Sequence, residues 1–469
     1  MSILYKDIQI DGDVKFARLT KLLIEESINE HATAYISGVL DEQMSVTEVY
    51  RLSINSNICI KAMTEPEVEV LFAGVPVDMT LKNLSGVKHL ELTLKSHSFK
   101  LDTDRINRSF QDVNNPYSSI FRQVVESKYQ GAVVVEPLLK NKSQGRLVIQ
   151  YEETDWQLLK RVASHLGTVI FPHMEATKPQ IGVGILDGHQ YTENAIQFEI
   201  KKAVGAYQES TGNFQGWNEL DFVSIDLEST KVYRLCDIVL FNDVKYLVAG
   251  KRSEICHGVL VNAYQLQPLS SFRQNIFYNE NLVGVSVEGT VVDVESDKVR
   301  LHLLMDKQRQ SAEAVYWFNC DTFYVAEGHT GGYIMPEKGE LVQLYFPNRD
   351  EHKAYVRKAR RQDGTGNANI NNPDTKHFET ADGKALMVSP DSVKLSAGHG
   401  KIRMQMTDGG GILFSSSEDL RIQGSEINLN ARRIRINAGD TLKLKTNSAS
   451  VMLDSIVDIK GVGVVNFFS

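Results

Sequence analysis

Apolar and polar residues alternate along most of this chain, and helical spacing interrupts the alternation only briefly. In "HATAYISGVL" (31–40), "EVEVLFAGVPVDMTLK" (67–82) and "HLELTLKSHSF" (89–99) the apolar residues recur at every second position, as in strands with one buried face. Gly38, Gly74 and Gly86 punctuate these runs as turns or bulges. Two helices follow. "PYSSIFRQVVESKYQG" (116–131) starts at Pro116, ends at Gly131 and puts Ile120, Val124 and Val125 on one face. In "TDWQLLKRVASHLGTVIF" (154–171), Thr154 and Gln157 form a capping box and Leu159, Val162, Ala163 and Leu166 a stripe, with Gly167 placed to end the helix.

Alternation then returns. "NAIQFEIKKAVGAYQES", "KVYRLCDIVLF" and "VKYLVAGKRSEICHGVLVNAYQL" read as strands between about 181 and 272. "VGVSVEGTVVDVESDKVRLHLL", "EAVYWFN", "GELVQLYF" and "KAYVRKAR" add about five short strands, which suits a small closed barrel of the OB type. "RQDGTGNANINNPDTKH" (361–377) is polar, rich in Gly and Asn, and reads as a linker.

Beyond the linker, apolar pairs recur at Leu386/Val388, Val393/Leu395, Ile402/Met404, Ile412/Phe414, Leu420/Ile422, Ile427/Leu429, Ile434/Ile436, Leu442/Leu444, Val451/Leu453 and Val457/Ile459, with 6 to 10 residues between pair starts. Each such strand buries only two or three side chains on one face, too few to offset the entropy of ordering it alone. Stacked coils of a single-chain β-solenoid would supply neighbours. Three identical chains wound round one axis would also do so, and the absence of longer coils and of a capping helix favours this intertwined trimer. Leu420, Ile422, Ile427, Leu429, Ile434, Ile436, Leu442 and Leu444 would then face the axis.

Composition removes several function classes. The 469 residues carry a net charge of −8 without long blocks of like charge, so wholesale phosphate or nucleic-acid binding is not expected. No run of 18 apolar residues occurs, and the start "MSILYKDIQIDGDVKF" has no signal-peptide pattern. The four cysteines lie far apart without metal-ligand spacing, as free thiols of a protein made in the cytoplasm.

At this point a resemblance enters. "QYEETDWQLLKRVASHLGTVIF" (150–171) resembles the QYxExDxxFLxRLxxxxG-type segment of the VgrG family of contractile injection systems, and "HATAYISGVL" resembles that family's early strand. The domain order is similar along nearly the whole chain, and similar also to the fused hub and central spike of contractile phage tails. The resemblance implies a mainly β protein with a few helices. Its parts would be a first hub β-barrel domain with helical insertions (1–180), a second (181–280), an OB-fold domain (281–361), a linker (362–376) and a triple-stranded β-helix needle, or β-prism (377–469). It implies a non-enzymatic homotrimer that caps a hexameric tail-tube protein, organises the baseplate centre and punctures a target cell envelope. Further implied partners are baseplate proteins, a PAAR-type tip protein and effector cargo, with the particle assembled inside the cell and delivered outward or released on firing. Between barrel and needle there is no room for an enzyme, the chain stops at Ser469 without a toxin domain, and no His follows His399 to hold a tip metal.

Other candidates have plain readings. "GVGILDG" (182–188) lacks the full nucleotide-binding glycine pattern and reads as a turn. His165, His173, His189, His257, His329 and His352 are scattered, and Glu152, Glu153 and Asp155 belong to the start of a helix. Trp156 and Trp317 read as core or interface anchors, and neither catalytic residues nor a cofactor or metal site are expected. The terminal "GVGVVNFFS" brings Val464, Val465, Phe467 and Phe468 together in a trimer, either as a plug of the needle's axis or as a seat for a tip protein. The rival function is a trimeric tail-fibre or surface protein that binds glycans, which leaves the N-terminal barrels and helix motif unused. A β-helix lyase or hydrolase would need a charged groove, and Arg432, Arg433 and Arg435 form the only basic cluster.

Overall fold

The computed structural model describes residues 3–453 apart from 65–66, 187, 195–196, 213–215, 323–324, 327–329, 332, 361–371 and 449. The chain forms two compact units, 1–363 and 364–469.

The first unit opens with strands β1 (Ile8–Gly12), β2 (Phe16–Ser27), β3 (Thr33–Leu40), β4 (Ile58–Thr64), β5 (Glu67–Leu84) and β6 (Val87–Ser96), with the short helix α1 (Val46–Tyr50) between β3 and β4. Leu22, Ile24, Ile36, Ile60, Leu90, Leu92 and Leu94 point to one side and make one apolar core. The alternation in the sequence is therefore that of a sheet with one face buried in a shared apolar core.

A helical insertion follows. Strand β7 (Arg105–Phe110) pairs with β9 (Val148–Thr154), and β8 (Ala132–Val135) joins β10 (Ile170–Pro172) and β11 (Gln180–Val183) in a small sheet. Helix α2 (Tyr117–Arg122) continues as a π-turn over Gln123–Ser127 and buries Ile120, Val124 and Val125, the face read from the sequence. Helix α3 (Asp155–His165) begins at the expected cap. The Gln157 amide donates to Thr154 Oγ1, the Thr154 amide donates to Gln157 Oε1, and Gly167 takes a φ of 70° after the last turn.

Strands β12 (Gln190–Glu193), β13 (Phe198–Lys202), β14 (Val223–Ser229), β15 (Ile238–Phe241), β16 (Val244–Cys256) and β17 (Val259–Pro268) build a second core around Ile225, Val239, Leu247, Tyr264 and Leu266. The expected strand over 194–210 ends at Lys202. Residues Val204–Thr211 instead form helix α4, because Tyr207 packs edge-on against Phe222 and strict alternation stops after Ile200. Strands β2 and β16 pair, so both sets of strands belong to one 12-stranded sheet.

Strands β18 (Ser286–Glu295), β19 (Lys298–Leu303) and β20 (Trp317–Cys320), then a two-residue pair β21 (Val325–Ala326) and β22 (Thr330–Gly331), lead to β23 (Leu341–Tyr345) and β24 (Tyr355–Arg360). β18, β19, β20, β24 and β23 close into a barrel in that order. Alternation along β9 ties this barrel to the insertion, since Val148 enters the helical core while Leu147 and Ile149 enter the barrel core.

A buried ion-pair cluster reinforces the tie. The Arg161 guanidinium on α3 donates to Glu153 Oε1 and Oε2 at 2.9 and 2.8 Å, to Glu351 Oε1 at 2.9 Å and to the Ile149 carbonyl at 2.8 Å. Glu351 lies beside the barrel and also accepts the Ile149 amide. All three charged side chains are buried, and losing Glu351 would break one of the buried ion pairs and leave both Arg161 Nη1 and the Ile149 amide without their acceptor. Glu351→Ala should therefore cost roughly 3–5 kcal/mol. The control Glu280→Ala, at the exposed Arg349–Glu280 pair, should cost below about 1 kcal/mol. Paired denaturant titrations check this, and equal losses would contradict the cluster's role.

Candidate functional site

The second unit contains the repeat. Strands β25 (Lys376–Glu379), β26 (Ala385–Val388), β27 (Ser392–Ala397), β28 (Ile402–Thr407) and β29 (Gly411–Ser415) form an antiparallel meander. Its registers line up Phe378, Leu386, Leu395, Met404 and Phe414 in one row, directly opposite one another from strand to strand. A second row, Val388, Val393, Met406 and Ile412, lies two residues along and so shares the same face. The other face carries Lys394, Gln405, Ser396 and Arg403, with Met387 and Leu413 as its larger apolar members. The sheet is thus apolar on one side, and in the single chain that side is open as a groove of about 670 Å³. Phe414 is 56% exposed and Ile412 62%.

Residues 416–441 form no strand in the single chain although they carry the same alternation. Leu420, Ile422, Ile427, Leu429, Ile434 and Ile436 are each more than half exposed. Strands β30 (Leu442–Lys445) and β31 (Ser450–Leu453) close a hairpin that sets Leu442 opposite Leu453 and Leu444 opposite Val451. Val464, Val465, Phe467 and Phe468 lie outside the described residues, as do Val457 and Ile459. Alternating apolar side chains without a ladder are an unfinished structure, because backbone and side chains alike lack partners.

The first unit holds polar clusters that serve packing. Ser98 Oγ lies 2.8 Å from His31 Nδ1, and His31 Nε2 lies 3.5 Å from Asp102 Oδ2. This Ser-His-Asp contact is no nucleophilic site, because Ser98 is only 2% exposed and Asp102 already accepts from Thr154 Oγ1 at 2.5 Å. His31 stacks on the buried Trp156 at 4.2 Å between ring centres, so Trp156 is a core anchor. Trp317 lies under the Arg300 guanidinium at 4.4 Å. Asp155 is fully buried and accepts from Arg108, Lys128, Tyr129 and Gln150, so it anchors the start of α3. In "GVGILDG" the Glu136 carboxylate accepts the Ile185 amide and packs closely against Gly184. Among the described residues no group of three or more His, Cys, Asp or Glu could hold a metal ion.

With this geometry in view the chain can be set beside known proteins. No family model matches the sequence, and no curated protein matches it. Solved structures do. An Escherichia coli protein, c3393, aligns over 76% of this chain and 99% of its own with a TM-score of 0.53 and 12% identity. It is described as a type VI secretion component structurally similar to the T4 bacteriophage tail proteins gp27 and gp5. A Francisella PdpA–VgrG complex in a half-lidded state aligns over 87% of both chains with a TM-score of 0.50 and 10% identity. A lidless PdpA–VgrG complex covers 87% of this chain and 97% of its own at 0.51 and 9%. The fold is VgrG-like. At these identities the likeness is one of fold, and it bears out the resemblance read from residues 150–171 and 31–40.

Within the VgrG-like fold, the repeat and the α3 segment were visible in sequence. Phe378, which completes the first apolar row, was not, because it stands alone next to the linker without a partner at i+2. Arg161 and Glu351 are 190 residues apart, and nothing local marks them as a pair.

His165, at the end of α3, makes a pH dependence testable. Its Nδ1 lies 2.8 Å from Arg146 Nη1 and its Nε2 2.6 Å from the Phe277 carbonyl, which suits a neutral ring protonated on Nε2. Burial, then the Arg146 charge, pushes its pKa down to about 4. The unfolded chain takes up this proton first, near pH 6.5. The ring's contribution is therefore complete above about pH 6.5 and is lost as pH falls towards 4. His165→Gln should flatten the fall in Tm between pH 6.5 and 4, and an unchanged slope would show that this ring is not the titrating group.

Proposed function

We propose that the protein is the homotrimeric hub and spike of a contractile injection machine. The observation that carries this reading is the one-sided apolar sheet of β25–β29, followed by a strandless apolar repeat, in a chain with a VgrG-like fold. Two further copies would cover the apolar face and supply the missing ladder, so that Leu420, Ile422, Ile427, Leu429, Ile434, Ile436, Leu442 and Leu444 fill the axis of a triple-stranded needle.

The domain scheme set out from the sequence goes with this reading. The closed barrel of β18, β19, β20, β24 and β23 is then an OB-fold, whose strand order in the barrel is first, second, third, fifth, fourth. The hub would seat a hexameric tube protein and baseplate partners. The needle would carry a tip protein and cargo on Val464, Val465, Phe467 and Phe468 and be driven outward through a target envelope. Its action is mechanical, a rod whose strands are hydrogen-bonded between chains resisting the load of a contracting sheath. The description of c3393 as a type VI secretion component and the PdpA–VgrG complexes support this role.

Light scattering of the full chain should give three times 52.6 kDa, and a monomer at micromolar concentration would sink the proposal. Ile434→Asp should prevent needle assembly, since three carboxylates would meet in an apolar axis at several kcal/mol per ion. The 1–363 unit should still unfold as in the parent. A variant trimer that melts like the parent would remove Ile434 from the axis.

A further inference from the structure

Two strand edges near the start of the chain face one groove without pairing. β1 pairs with β4 alone. β2 pairs with β3 on one side, and its other side meets β16 only over Leu23–Ser27. The outer edges of Ile8–Gly12 and of Phe16–Leu22 therefore have no partner strand among the described residues. Between them runs a groove of about 560 Å³, within the usual size of a ligand cleft. Ile8, Ile10 and Phe16 line it and pack against the first apolar core, so its floor is apolar.

The separation of the two edges is built in. Asp13, Val14 and Lys15 join β1 to β2, a link short enough for a hairpin, yet the two strands do not pair. The link is tied elsewhere. The Asp13 amide donates to the Asn57 carbonyl at 3.3 Å, and the Asn57 amide donates to Asp13 Oδ2 at 2.9 Å. The Asp41 amide donates to the Lys15 carbonyl at 3.1 Å, and Val14 is wholly buried. Four residue steps from Gly12 to Phe16 reach about 13–14 Å. Two strand spacings need only about 9.5 Å, so the link leaves width for one strand between β1 and β2. In the single chain the Tyr5 hydroxyl donates to the Leu19 carbonyl at 2.5 Å, a side chain serving a main-chain acceptor that borders the groove.

Charge selects what can enter. Lys6, Lys15 and Arg18 line the groove, are exposed, and form no salt bridge among the described residues. The carboxylates that line it are engaged. Asp11 accepts from Lys61 Nζ at 2.7 Å, and Asp41 accepts the Gln43 amide at 2.8 Å. The free charges of the groove are thus positive, in a chain whose net charge is −8.

We infer that an extended acidic segment of another protein inserts between β1 and β2 as one further strand, hydrogen-bonded to both edges. Strand addition supplies the main-chain partners that the two edges lack. Five residues match the length of β1, about 17 Å. Every second side chain of the segment rests on Ile8, Ile10 and Phe16 and is apolar. Those between face water beside Lys6, Lys15 and Arg18 and are Asp or Glu. The groove belongs to a single chain, so this inference does not depend on the trimer.

Fluorescence anisotropy with the labelled peptide Val-Glu-Val-Glu-Val-Glu-Val and the full-length protein tests it. The peptide should bind and slow hydrogen exchange over 8–12 and 16–22. Lys in place of Glu in the peptide, or Lys15→Glu combined with Arg18→Glu in the protein, should weaken binding about tenfold or more. Lys140→Glu combined with Lys142→Glu, just after the edge strand β8, should leave binding unchanged. Successive amides of a strand point to opposite edges, so N-methylation of either alternate set of peptide amides should abolish binding. Loss with one set alone shows addition to a single edge and overturns the insertion. No binding at millimolar peptide, protection over β8 or β13 instead, or loss in the Lys140/Lys142 variant overturns the site. Protection of both edges that rises with protein concentration in the absence of peptide gives the groove to a second copy and overturns the acidic partner.

Discussion

A β-strand carries hydrogen-bonding groups along both edges, and the organisation of this chain follows from where those groups find partners. The barrel of β18, β19, β20, β24 and β23 closes on itself and leaves no edge. The large sheet joins its two halves edge to edge through β2 and β16 but ends in β13, whose outer edge has no partner strand among the described residues. The repeat over 416–441 has the side-chain pattern of strands and, in one chain, no ladder. The demand for partners is met fully in the barrel, in part in the hub sheet and least in the repeat.

Side-chain burial follows the same gradient. Barrel positions such as Val299, Leu301, Val342 and Leu344 are wholly buried, whereas Leu395, Ile412 and Phe414 in the repeat sheet are about half exposed or more. A monomeric soluble protein rarely leaves so continuous an apolar face to water. The ion-pair cluster at Arg161 serves a different need. It sits where the insertion meets the barrel, and its three buried charges fix geometry more than they add net stability.

Legibility in the sequence depended on how local each cause was. The capping box of α3 spans four residues, and the apolar pairs of the repeat recur within ten, so both could be read directly. Helix α4 was missed because "EIKKAVGAY" has a strand's propensity at its start, and the Tyr207–Phe222 contact that holds the helix lies fifteen residues away. The strand order that the two halves of the large sheet share (first, fourth, fifth, sixth, third, second) was invisible in the residues. Matched places hold Leu23 and Glu199, Lys251 and Met79, or Ser253 and Leu81, which have no chemistry in common.

The β2–β16 junction has a consequence for how this protein can change over time. It is made largely of main-chain bonds, which every residue except proline supplies equally, so it stores little information in residue identity. Side chains there can drift while strand order, turn and bulge stay where they are. A fold that keeps its shape in this way is recognised by its backbone long after its sequence has lost the likeness, as the 9–12% identities to structures sharing three-quarters or more of this chain illustrate.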